Sequence, residues 1–95
     1  MTISQPGTVS ARLGGTAVRL RLSLAALMEI EHALQVDGMD ALAAKFRALT
    51  ASDLSAILTA LLRAGGREDA DALAHTAVPA EAAQAVLACF DANLK

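Results

Sequence analysis

The segment from Arg19 to Leu34, RLRLSLAALMEIEHAL, changes from a strand pattern to a helix pattern at one residue, Ser23. Before Ser23, leucines and a valine alternate with arginines, as in a strand with one buried face. After Ser23, apolar residues recur every three or four positions, which is typical of an amphipathic helix. The Ser23 hydroxyl can accept hydrogen bonds from the free N–H groups of the first helical turn. The segment therefore predicts a strand that leads directly into a helix.

The strand of that segment is predicted to be the second strand of a β-hairpin over residues 8–13 and 16–22. Gly14 and Gly15 lie between the strands and tolerate the positive φ angles of a tight primed turn. If Leu13 faces Thr16, both strands place their apolar side chains on one face. That face comprises Val9, Ala11, Leu13, Val18, Leu20 and Leu22. Because an isolated hairpin is marginal in water, this apolar face must lie on helices.

The opposite face of the hairpin carries Arg12, Arg19 and Arg21, together with Ser10. The three arginines are candidates for docking a negatively charged partner. The alternative is that they only keep an exposed hairpin from pairing with the edges of other sheets. Nucleic acid is not expected as a partner, because no aromatic side chain lies beside the arginines to stack bases.

Start and stop signals divide the rest of the chain into four or five short helices. The starts are caps at Ser23, at Asp40 and at Thr50 or Ser52, with Pro79 in the first turn of the last helix. Glycines at Gly38 and Gly65-Gly66 mark stops. Residues 67–75, in which only Leu73 is a strong apolar anchor, account for the choice between four helices and five. The predicted fold is α+β: an N-terminal β-hairpin packed on a small bundle of four to five short helices. Residues 1–7 are expected to be a flexible leader and 8–95 a single domain.

The buried core of this fold is predicted from the apolar positions that recur with strand or helix periodicity. Those positions are Val9, Leu13, Val18, Leu20, Leu22, Leu24, Leu27, Ile30, Leu34, Leu42, Phe46, Leu49, Leu54, Ile57, Leu58, Leu61, Val86, Leu87 and Phe90.

Two apolar residues lie outside the main helical stripes, Met28 in the first helix and Leu62 in the third. Side chains of this kind suit a groove that binds a helix of another protein. The alternative is that short elements need wide apolar faces to cover one another. Met28 and Leu62 are therefore candidates for partner binding, beside the arginines.

No pattern of residues indicates catalysis, a bound metal or a cofactor. His32 and His75 have no Cys, His or Asp at metal-ligand spacing, and pairs such as Glu29 with His32 are expected to be solvated. Cys89 lies in an apolar segment and is expected to be a buried, unreactive thiol. Its being the only cysteine fits a reducing compartment.

The composition also limits where the protein acts. The net charge of −2 gives no general attraction to nucleic acid or to acidic membranes. The start MTISQPG has neither the basic residues nor the apolar core of a signal peptide. No window approaches 18 consecutive apolar residues, so no membrane span is expected. A cytoplasmic location is predicted.

Four segments in order resemble the small tail assembly chaperones of siphophage-like particles, and specifically the gene transfer agent family of alphaproteobacteria. They are the strand-to-helix run LRLSLAALMEIE from Leu20, the helix MDALAAKF from Met39, the Asp-Leu helix SDLSAILTALLRAGG from Ser52, and an alanine-rich C-terminal helix. The resemblance covers about residues 7–92. It departs from the family at Ala64, where the usual residue is glycine.

The resemblance implies a non-enzymatic protein that binds the long helical tape measure protein in the host bacterium during tail assembly. It implies contacts with the tail tube protein as a further option, and leaves a homo-oligomer open. The alternative is a structural tail component, such as a tail tube subunit or tail-associated protein, since the family has also been labelled as tail tube proteins. The chaperone is expected first, because one hairpin cannot supply the β-sandwich of the larger tube subunits.

Overall fold

The computed structural model describes residues 8–93, which form a two-stranded antiparallel sheet followed by five helices. This arrangement confirms the predicted α+β class. Both the proposed leader at residues 1–7 and the last two residues lie outside the described part of the chain. The elements are β1 (Thr8–Leu13), β2 (Thr16–Arg21), α1 (Leu24–Leu34), α2 (Gly38–Lys45), α3 (Ala51–Ala64), α4 (Ala70–Thr76) and α5 (Pro79–Asn93), with a single 3₁₀ turn (Phe46–Ala48) after α2.

The β-hairpin has the register expected from the sequence. Gly14 and Gly15 both have positive φ angles, 60° and 84°, as a primed two-residue turn requires. The paired residues include Leu13 with Thr16, Ala11 with Val18, and Val9 with Leu20. The apolar face of the hairpin packs on α3 and α5. The alternation of apolar residues and the two-residue turn specify the same register, so the strands pair in one way.

Helix α1 begins where the sequence predicts and ends in a different way. The Ser23 hydroxyl accepts a hydrogen bond from the Ala26 N–H at 3.1 Å, so Ser23 is the N-cap. At the other end, Gln35 rather than a glycine takes the left-handed conformation, with φ of 57°. Gly38, predicted as the stop signal of α1, is the first residue of α2.

The predicted cap of α2 is wrong, because α2 begins two residues before Asp40. Asp40 lies in the first turn of α2, where its negative charge is favourable to the helix dipole. The free N–H of Gly38 is satisfied from the preceding helix: the Glu31 carboxylate accepts its hydrogen bond at 2.9 Å. Glu31 thus ties the start of α2 to the end of α1.

Helix α3 begins with a reciprocal capping box. Thr50 Oγ1 accepts a hydrogen bond from the Asp53 N–H at 3.0 Å, and Asp53 Oδ2 accepts one from the Thr50 N–H at 3.1 Å. The hydrogen bond from the Thr50 backbone holds the pKa of Asp53 below its usual value of 3.8. Lys45 Nζ lies 3.5 Å from the same carboxylate. These contacts resolve the predicted choice of cap in favour of Thr50 over Ser52.

Helix α3 is the central helix of the molecule and contacts α1, α4, α5 and β2. Its buried residues therefore lie on more than one side of the helix: Ile57, Leu58, Ala60, Leu61 and Leu62. Leu62 is 0% exposed, so the prediction that it contacts a partner is wrong. Its position outside the main stripe reflects neighbours on several sides of α3 rather than a free surface.

Two residues of the predicted core lie on the surface. Leu24 is 74% exposed, because the buried face of α1 consists of residues on the other side of the helix. Leu87 is 58% exposed, because it lies outside the stripe that α5 buries. The buried residues outside the predicted core are mostly alanines: Ala26, Ala60, Ala70, Ala74, Ala82 and Ala85, with Leu62. Cys89 is buried, as expected from its apolar segment.

The end of α3 lies directly against the backbone of β2. Gly65 follows the last residue of α3 and has an ordinary φ of −79°. A Cβ atom at this position would overlap the carbonyl group of Arg19. Gly65 is therefore required by the close approach of α3 to the hairpin, whereas Gly66 has a positive φ of 97°.

Candidate interaction surfaces

The arginine face of the hairpin comprises Arg12, Arg19 and Arg21, which lie on the side opposite the apolar face, as the register predicts. Arg12 and Arg19 are exposed, whereas Arg21 is half-buried. The Nε atom of Arg21 is enclosed and has no hydrogen-bond partner within residues 8–93. None of the ion pairs in that range involves these three arginines. Among the described residues, this face therefore presents positive charge that no ion pair neutralises, although Arg21 is less exposed than the other two arginines.

An apolar groove of about 320 Å³ lies between α2 and α5. We call it the α2–α5 groove. Phe46 and Phe90 meet edge to face within it, with their ring centroids 4.7 Å apart. Met39 and Leu87 stand on the two sides and remain 43% and 58% exposed. The other residues that line the groove are Leu42, Ala43 and Asp91. A surface of this kind fits apolar side chains of another protein.

The α2–α5 groove was not predicted from the sequence, because Leu87 was expected in the core and Met39 at the start of a helix. Leu87 lies on the same side of the helix as Phe90, three positions away, so periodicity alone does not exclude Leu87 from the buried stripe. No signal exists for Met39 either, because its exposure depends on where α2 lies relative to α5.

A second, larger groove of about 660 Å³ has α3 as its floor and α1, α4 and the start of α5 as its walls. Arg63 lies at this groove and connects two walls: its guanidinium is 3.3 Å from Glu29 of α1 and 3.8 Å from Asp71 of α4. Glu29, which the sequence analysis placed in a solvated pair with His32, thus has Arg63 as an ion-pair partner. Because all three side chains are at least half exposed, the bridge contributes little to stability.

Met28 is 60% exposed, in agreement with its selection as a surface residue. It lies one helical turn from Leu24, so α1 presents two large apolar side chains on the side away from the core. Neither residue lines the α2–α5 groove. The five predicted contact residues therefore divide among the hairpin, α1 and the buried interior.

The described residues contain neither a metal-binding cluster nor a membrane-spanning helix, and Cys89 is buried among them. Within residues 8–93, no group of three or more His, Cys, Asp or Glu side chains is placed to hold a metal ion. In the same range, no helix has the length and apolar character needed to cross a bilayer. Cys89 is 0% exposed, and its burial raises the pKa of the thiol to about 11. The thiol is therefore protonated at neutral pH and poorly nucleophilic.

Comparison with known protein families links this chain to phage-like tails. A family model described as "Phage tail tube protein, GTA-gp10" matches residues 6–95. Comparisons with curated proteins and with solved structures gave no significant match. The family is structural rather than catalytic, consistent with the absence of enzymatic activity expected from the sequence. Its description agrees better with the structural tail component than with the chaperone. Because this family model matches nearly the whole sequence, the chain belongs to the phage tail tube protein family of gene transfer agents, GTA-gp10.

Proposed function

We propose that this protein is a structural component of the tail of a gene transfer agent and that it acts by binding other tail proteins. The observation that carries the proposal is the family match over residues 6–95. The surfaces of the molecule support it, since they offer an apolar groove and a positively charged face. Assembly would take place in the cytoplasm of the bacterial host.

The α2–α5 groove is the surface that we assign to contact with a neighbouring tail protein. Burial of the exposed parts of Met39 and Leu87 would stabilise such a contact, at roughly 25 cal/mol per Å² of apolar surface removed from water. The aromatic pair of Phe46 and Phe90 gives the groove a rigid floor. Rigid, partly exposed apolar side chains that converge on a cleft are typical of the centre of a protein interface.

Substitutions at the groove test this assignment in a host strain that lacks the gene for this chain. We expect wild-type protein to restore complete tails, as counted by electron microscopy. Met39→Lys combined with Leu87→Lys should lose most of this rescue, because two buried ammonium groups would oppose the contact. Since both side chains are exposed in the free protein, the variant should keep its fold, as checked by circular dichroism.

A matched control combines Leu24→Lys with Val78→Lys, which places the same two charges on exposed apolar residues outside the groove. Full rescue by this control and loss of rescue by the groove variant would support the assignment. Equal rescue by both variants would overturn it.

The tail assembly chaperone is the second candidate function. The observation that favours it is the helical composition of residues 8–93: the sheet has two strands, and the apolar groove is formed by helices. Such a surface suits an apolar helix of a tape measure protein, and many weak copies along one helix would bind with avidity yet remain displaceable. Co-expression with the tape measure protein, followed by pull-down and size-exclusion chromatography, tests this function. A soluble complex with several copies of this chain supports it, and an insoluble tape measure protein with free chain contradicts it.

A further inference from the structure

Within residues 8–93, no further strand pairs with the β1 edge of the hairpin. In a hairpin with a two-residue turn, the pair next to the turn is hydrogen-bonded and the bonded pairs then alternate. The bonded pairs are Leu13 with Thr16, Ala11 with Val18, and Val9 with Leu20. The N–H and C=O groups of Thr8, Ser10 and Arg12 therefore point away from β2. No hydrogen bond joins them to another segment of residues 8–93.

The other edge of the hairpin is blocked. The outward backbone groups of β2 belong to Ala17, Arg19 and Arg21, by the same alternation. Gly65 packs against the Arg19 carbonyl so closely that even a methyl group would overlap it. The end of α3 thus occupies the position that an added strand would take beside β2.

The apolar side chains of β1 are also less buried than those of β2. Val18 and Leu20 of β2 are 4% and 0% exposed. Val9 and Ala11 of β1 remain only half-buried, although they face the same core. A strand added beside β1 would cover these two side chains as well as satisfy the free backbone groups.

We propose that β1 pairs in antiparallel fashion with β1 of a second copy of this chain, which creates a four-stranded sheet across a two-fold axis. An unpaired strand edge recognises an extended backbone, and β1 offers one of matching length. Because the β2 edge is blocked, β1 cannot continue head to tail onto β2 of another copy. The contact is therefore closed and gives a dimer rather than a filament.

Only one register uses all the outward groups of β1. It places Ser10 opposite Ser10 of the second copy, Thr8 opposite Arg12, and, by symmetry, Arg12 opposite Thr8. All three pairs are then hydrogen-bonded pairs with two hydrogen bonds each. On the inner face, Val9 lies opposite Ala11 of the second copy, so the half-buried positions cover each other.

The arginines of β1 do not oppose this register. The two copies of Arg12 lie four residues apart along the strands, or about 14 Å at the rise of a β-strand, which exceeds the Debye length of about 8 Å at physiological ionic strength. The Arg12 guanidinium also leans toward the turn, where Nη1 donates a hydrogen bond to the Gly15 carbonyl at 3.3 Å.

Charge exchange at Ser10 tests both the surface and the register. Analytical ultracentrifugation of the wild-type chain should show a dimer. Ser10→Glu and Ser10→Lys should each weaken dimerisation several-fold, because each places like charges directly opposite one another. An equimolar mixture of the two variants should recover the dimer as a heterodimer. The matched controls are Ala17→Glu and Ala17→Lys, on the blocked edge, which should dimerise like the wild type.

A cysteine at the same position gives an independent readout. Residues in a hydrogen-bonded antiparallel pair have Cα atoms about 5.5 Å apart, which is within the range that a disulfide spans. Mild oxidation should therefore cross-link Ser10→Cys rapidly, and Ala17→Cys slowly. The natural Cys89 is buried and does not interfere.

A wild-type chain that stays monomeric would overturn the proposal. The proposal would also be overturned by a dimer that neither Ser10→Glu nor Ser10→Lys weakens and that cross-links no faster through Ser10→Cys than through Ala17→Cys. Such a dimer would use another surface, such as the α2–α5 groove. These outcomes are independent of whether the protein is a tail component, which is tested by its presence in particles.

Discussion

Leu62 and Met28 show how the fold gives different environments to residues that look similar in the sequence. Both lie outside the main apolar stripe of their helices. Leu62 is nevertheless 0% exposed and Met28 is 60% exposed. The difference arises because α3 has neighbours on several sides, whereas α1 faces the core on one side only. Which of the two is free to contact a partner depends on tertiary packing.

Alanine substitutions at these two positions should therefore have unequal effects on stability. We expect Leu62→Ala to lower the free energy of unfolding by about 2–5 kcal/mol, because it leaves a cavity in the centre of the core. Met28→Ala should change it by less than about 0.5 kcal/mol. Urea denaturation followed by circular dichroism measures both. Equal effects would contradict the assignment of Leu62 to the core.

At the scale of elements, the sequence predicts best where two independent signals agree. The hairpin register follows from both the alternation and the two-glycine turn, and it is confirmed. The start of α2 was missed because its N-cap, Asp37, makes no side-chain capping hydrogen bond. The Gly38 N–H is satisfied instead by Glu31, which lies seven positions earlier and outside any local capping pattern. The buried stripe of α5 was misplaced because alanine is abundant on several sides of that helix and distinguishes them poorly.

The contact between α3 and the hairpin depends on the absence of a side chain at Gly65. Its φ of −79° is one that alanine adopts without strain, so a Gly→Ala change there would ordinarily stabilise the protein. We expect Gly65→Ala to destabilise it instead, because the added methyl group would overlap the Arg19 carbonyl. The sign of the change in unfolding free energy, from urea denaturation, decides the matter. A stabilised variant would contradict the packing of α3 on β2.

The capping box of α3 should make stability depend on pH. The folded-state pKa of Asp53 is depressed, so its contribution is complete above the ordinary pKa of 3.8 and is lost as the pH falls through the folded value. Asp53→Asn removes this contribution. The difference in unfolding free energy between wild type and Asp53→Asn should be constant near neutral pH and shrink in strong acid. A difference that grows in acid would contradict the assignment.

At the scale of the whole molecule, the sequence predicts the positive face more successfully than the apolar groove. The arginine face follows from alternation along two strands, which is a local property. The α2–α5 groove forms from Met39, Phe46, Leu87 and Phe90, which belong to segments far apart in the chain. Periodicity places residues on the sides of each helix but does not determine which sides two helices leave open.

A structural role in the tail is best tested by quantitative mass spectrometry of purified, mature particles. If this protein is a structural component of the tail, peptides from it should be present at many copies per particle, in a constant ratio to other tail proteins. Its absence from mature particles that are otherwise complete would contradict a structural role, and its presence only in assembly intermediates with the tape measure protein would establish the chaperone instead.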